Sequence, residues 1–166
     1  MNARVIAKLG IMGAMVIIIV IIEAMLPPLP FLPPNFRLGF SNIMIMYALF
    51  FMGKKEAVCL VFIKAVYNVL RGFMAGVLSF SGGLTAVLFM VLFSHVFKGK
   101  ISYQALSIVG AVFHNMGQLV VASVFLGDFR VFVYYFPVLL VVGVVMGVFT
   151  GLVFGLVLPA INVEEH

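Results

Sequence analysis

Residues 5–26, VIAKLGIMGAMVIIIVIIEAML, form an almost unbroken apolar run in which only Lys8 and Glu23 carry charge. As a helix, a segment of this length extends about 33 Å, enough to cross the roughly 30 Å hydrocarbon layer of a bilayer. Similar runs follow to the end of the chain. The 166 residues are 65% hydrophobic and only 9% charged, far from the roughly one-quarter charged composition of soluble domains. Ten Lys and Arg with five Asp and Glu cannot solvate such a globule, so the bilayer must be its solvent. A soluble enzyme is excluded on this ground. The runs are continuous and lack a two-residue alternation, which disfavours a transmembrane β-barrel.

The apolar stretches predict an all-α, polytopic membrane protein with six transmembrane helices in one domain, residues 1–166. The expected spans are 5–26, 38–52, 57–74, 84–97, 101–126 and 131–158. Pro27, Pro28, Pro30, Pro33 and Pro34 cannot continue a helix and predict a stiff loop outside the membrane. The run Gly76, Ser79, Ser81, Gly82 and Gly83 reads as a small-residue connection before the fourth span, and Pro159 as the stop of the sixth. A cleaved signal peptide is disfavoured, because Glu23 and the prolines make a poor cleavage site.

Arg4, Lys8, Lys54, Lys55, Lys98 and Lys100 fall on one side of this arrangement, against Arg37 and Arg130 in loops on the other. Short cytoplasmic loops carry the excess of Lys and Arg, so both termini are expected to be cytoplasmic. The net charge of +5 is then topological and does not indicate nucleic-acid binding.

Charged and strongly polar residues inside spans are costly and usually face a partner or a wet cavity. Lys64, Asn68 and Arg71, spaced i, i+4, i+7, share one face of the third span as read. His114 and Gln118 are four apart on the fifth, with Asn115 beside them. Glu23 lies near the outer end of the first and Asn42 near that of the second. These eight residues converge on the outer half of the membrane and form the candidate substrate site. One acid against two bases leaves one positive charge that an anionic ligand group would match; the alternative is structural, with Glu23 neutralising Arg71 or Lys64 and Asn115 and Gln118 bonding between helices. Tyr67, Phe73, Phe113 and Met116 could line its apolar body or serve as plain core.

Other chemistries are absent. Gly53, Lys54 and Lys55 lack the frame of a phosphate-cradling loop, so any ATPase is another subunit. Asp128 is the sole aspartate, too few carboxylates for a magnesium-dependent prenyl transferase. His95 and His114 lie on different spans, so neither a metal site nor a cofactor is expected, and Cys59 has no disulfide partner. Ala3, Ala7, Gly10 and Ala14 make a small-residue face on the first span, suited either to internal packing or to docking of a partner helix. Gly143, Gly147, Gly151 and Gly155 make a second such face, read as internal.

Several stretches resemble a known family. They are Ile22-Glu23 with the following prolines, the run Arg37 to Ile43, Leu70-Arg71-Gly72 through Ser81-Gly82-Gly83, and above all Gly110-Ala111-Val112-Phe113-His114-Asn115-Met116-Gly117-Gln118-Leu119. The chain resembles bacterial membrane proteins known both as component I of heptaprenyl diphosphate synthase and as the Gx transporter family. These are similar to the substrate-capture S components of energy-coupling factor (ECF) transporters. The resemblance implies a six-helix S-component bundle in the bacterial plasma membrane, its loops covering an externally facing cavity. It also implies a scaffold partner docking on Ala7, Gly10 and Ala14, and two ATPase subunits. The expected function is capture of a small, anionic, partly apolar or aromatic nutrient, such as a quinone or flavin precursor, without enzymatic activity. The alternatives are an accessory component of heptaprenyl diphosphate or menaquinone synthesis, and a small oligomeric channel.

Overall fold

The computed structural model describes residues 3–26 and 39–162, with side chains through Leu156. The proline-rich segment 27–38, including Arg37, and the tail 163–166 lie outside the described residues. Among the described residues six helices run in chain order: α1 (Ala3–Met25), α2 (Asn42–Phe51), α3 (Lys54–Val69), α4 (Phe73–Val96), α5 (Tyr103–Leu126) and α6 (Arg130–Asn162). The protein is a multi-pass membrane protein, with α1, α4, α5 and α6 long and apolar enough to cross a bilayer. At 10 and 16 residues, α2 and α3 are shorter, about 15 and 24 Å.

Short turns join consecutive helices from α2 onward, so each reverses the direction of the last. The end of α1 meets the start of α2 through a hydrogen bond from the Gly39 amide to the Glu23 carboxylate. Alternation of this kind gathers Arg4, Lys8, Lys54, Lys55, Lys98 and Lys100 at one end of the bundle. α5 packs between α4 and α6, α3 lies against α4, and α1 and α2 both rest on α3. Ile45, Ala48, Ala57, Leu60, Val61 and Leu106 fill the core. Ile11, Ile18, Phe62, Leu88 and Val141 point outward, as lipid-facing positions must.

Three expectations are corrected. The fourth helix begins at Phe73, eleven residues before position 84, so Gly76 through Gly83 is helix interior and not a connection. In lipid, small residues serve close helix approach. A Cβ on Gly82 would stand 2.8 Å from His114 and Gln118, and one on Gly83 would stand 2.7 Å from Val61. The third helix begins at Lys54 and ends at Val69, which places Arg71 in the following turn and not on the helical face of Lys64. α6 also continues through Pro159 to Asn162. The reading of its glycines as internal holds for Gly143, Gly147 and Gly151, which press on Val112, Ile108 and Gln104. Around Gly155 the space is open.

Candidate functional site

Four of the helices and two turns bring polar groups together at the end of the bundle away from Lys54, Lys55, Lys98 and Lys100. Burial of Glu23 and Lys64, at 4% and 5% exposure, places two ionisable groups where water cannot solvate them. Each has fixed company. Glu23 accepts from the Gly39 amide, and Lys64 Nζ donates to Asn42 Oδ1 at 3.1 Å. One turn along α3, Asn68 Nδ2 reaches back to the Lys64 carbonyl (3.0 Å) and across to Ser79 Oγ on α4 (3.1 Å). On α5, the Gln118 amide nitrogen lies 2.9 Å from His114 Nε2.

These side chains enclose a cavity of about 50 Å³. Glu23, Lys64, Asn68, Arg71, His114 and Gln118 all contribute to its wall. The volume accommodates a few waters or one compact polar group. Its lining carries one carboxylate, Glu23, and two basic side chains, Lys64 and Arg71. Gln118 Oε1 is buried without a hydrogen-bond partner among the described residues, as is Ser41 Oγ nearby. Exchanging the oxygen and nitrogen of the Gln118 amide would move the vacancy without removing it. A second space of about 20 Å³, sharing Gly39 with the first, is walled by Met46, Met90 and Met146 together with Asn42, Ser107 and Thr150.

Six of the eight predicted site residues thus line the polar cavity, and Asn42 touches it through Lys64. Asn115 stands apart, because one residue along a helix turns the side chain by about 100°. Its amide donates to the Leu139 carbonyl of α6 at 2.9 Å. Sequence reading missed the Gly39 amide and Ser79. Ala75, Ser79 and Gly82 are spaced i, i+4, i+7, and the cue was available once the glycines are read as helical. Among the described residues no three His, Cys, Asp or Glu side chains gather as a metal site. Ala7, Gly10 and Ala14 are exposed on α1, and nothing lies within 4 Å of a Cβ built on Gly10.

The sequence profile of heptaprenyl diphosphate synthase component I matches residues 12–157, nearly the whole bundle. The chain belongs to this family. No curated protein sequence matches it. A solved structure of the S component of a bacterial ECF transporter has a similar fold, with a TM-score of 0.68 at 20% identity over 98% of this chain and 97% of that one. The family's fold, as this chain shows it, is therefore an architecture also seen in an S component.

Proposed function

We propose that the protein is the substrate-binding membrane subunit of an ECF-type uptake transporter in the bacterial plasma membrane. It captures a small, anionic, partly apolar or aromatic nutrient or cofactor precursor from outside and catalyses no reaction. The carrying observation is the polar cavity, whose wall holds Lys64 and Arg71 against the single carboxylate of Glu23. A charge-assisted hydrogen bond from Lys64 or Arg71 to the ligand's anion would restore the balance. Gln118, His114, Asn68 and Ser79 supply further polar contacts, and Asn42 orients Lys64. The methionine-walled space beyond Gly39 holds no more than about one water as it stands, and taking up the apolar part of the ligand would require Met46, Met90 and Met146 to shift, as flexible thioethers can.

In this reading all six helices lie within the membrane, both termini are cytoplasmic and the cavity opens outward, following the bias of Lys and Arg to one end. The open face of Ala7, Gly10 and Ala14 docks the transmembrane scaffold, and two ATPases power reorientation of the bundle. The family description favours a second reading, in which the same cavity holds the diphosphate of a prenyl intermediate for a catalytic partner.

Gentle purification followed by native mass spectrometry tests the proposal. A retained anionic small molecule, held about tenfold more weakly in Arg71→Ala while the melting temperature is kept, is the expected result, together with co-isolation of a scaffold and an ATPase pair. Recovery of a prenyl transferase with a bound prenyl diphosphate would replace it by the second reading. Ion conductance by the isolated protein in liposomes would count against capture.

A further inference from the structure

At the lysine-rich end, α2, the start of α3 and the end of α4 leave between them an open groove of about 580 Å³. That is within the range of small-molecule sites. Its wall is apolar where Leu49, Phe50 and Val91 face it, and its rim is basic at Lys54, His95 and Lys98. Sidedness alone explains an excess of cations at this end. It does not explain the convergence of Lys54, from the start of α3, and Lys98, from the turn after α4, onto one groove with a hydrocarbon-compatible wall.

The backbone at Lys98 adds an independent observation. α4 ends in a Schellman turn, with the Gly99 amide donating to the Ser94 carbonyl (2.8 Å) and the Lys98 amide to that of His95 (3.0 Å). The residue at Lys98 in this motif adopts a left-handed conformation and is usually glycine; here its φ is 51°. A cation therefore occupies a position where local geometry favours no side chain. Lys54 shows the same pattern at the first turn of α3, where the helix dipole disfavours positive charge.

We propose that this groove is a binding site for an anionic phospholipid, its headgroup phosphate held between Lys54 and Lys98 and an acyl chain laid along Leu49, Phe50 and Val91. Basic pockets between membrane helices at the cytoplasmic boundary suit such headgroups. A free phosphate ion would make no use of the apolar wall, and a zwitterionic headgroup would bring its own cation against the lysines. The groove and the polar cavity lie at opposite ends of the bundle, so failure of either proposal is read separately from the other.

The test is native mass spectrometry of the purified full-length protein titrated with dioleoyl phosphatidylglycerol, dioleoyl phosphatidylcholine or inorganic phosphate. Phosphatidylglycerol is expected to bind about fivefold or more tighter than phosphatidylcholine, at about fivefold per lysine. On the same scale Lys54→Gln combined with Lys98→Gln weakens it about 25-fold, whereas Lys8→Gln, outside the groove, leaves it unchanged. Lys98→Gly separates binding from folding, because it relaxes the left-handed residue: the melting temperature should hold or rise while affinity falls about fivefold. Equal binding of the two lipids, an unchanged double variant, or displacement of the lipid by millimolar phosphate would each overturn the proposal.

Discussion

His114 and Asn115 are neighbours in sequence, yet they belong to two differently built regions. Asn115 lies in the seam between α5 and α6, where polar groups close on one another: its amide meets the Leu139 carbonyl, and Ser107 Oγ meets Thr150 Oγ1 at 2.7 Å. Gly147 draws the two helices together there, so that a Cβ on it would stand 2.4 Å from the Ile108 Cα. His114 faces the cavity among α1, α3, α4 and α5, where Gln118 Oε1 has no partner among the described residues and Lys64 donates to Asn42. Buried polarity is thus of two kinds. In the seam it holds helices together, whereas at the cavity at least one buried acceptor, Gln118 Oε1, is unpartnered among the described residues.

That contrast can be broken or sharpened by substitution. The largest effect is expected from Lys64→Met, because loss of a buried charge-assisted contact costs about 2–5 kcal/mol, roughly 30-fold to several thousandfold in ligand affinity. Calorimetry with the identified ligand would measure it, and a loss below about threefold would place Lys64 among structural residues. Next comes Gly147→Val, which overpacks the seam. A destabilisation of about 1–3 kcal/mol, read from thermal melting in detergent, should leave the affinity of the folded fraction intact. Arg71→Ala should cost about tenfold in affinity with little change in melting, since the residue is exposed in a turn. The smallest effect is Asn115→Leu, about 0.6 kcal/mol of stability and no change in binding. A collapse of binding in that variant would move Asn115 from the seam to the site.

Much of the fold is legible in the sequence, because hydrocarbon imposes its demands on long segments. The order of the six helices, the ends of α1 and α5, and the grouping of basic residues all follow from apolar runs and their punctuation. The start of α4 does not, since Gly76, Gly82 and Gly83 look like a linker by the rules of water-soluble chains. In a membrane the same residues let Val69, His114 and Val61 approach. Glu23, Lys64, Asn68, His114 and Gln118 were recognisable because buried polar groups demand an explanation. Asn115 shows what depth alone cannot resolve: the direction in which a side chain points. Ser79 was hidden by the misreading of the helix around it, and the Gly39 amide was hidden because a main-chain donor leaves no mark in residue type.

That last donor makes the orientation of Glu23 a property inherited from the chain's path. No exchange of one side chain for another at position 39 deletes the N–H that Glu23 binds, short of proline. Yet φ there is +83°, and a Cβ would stand 3.0 Å from the Asn42 amide, so replacement would perturb the anchor of Lys64 as well. Both ionisable groups therefore have their placement tied to one residue with no side chain, where tolerance to mutation should be at its lowest.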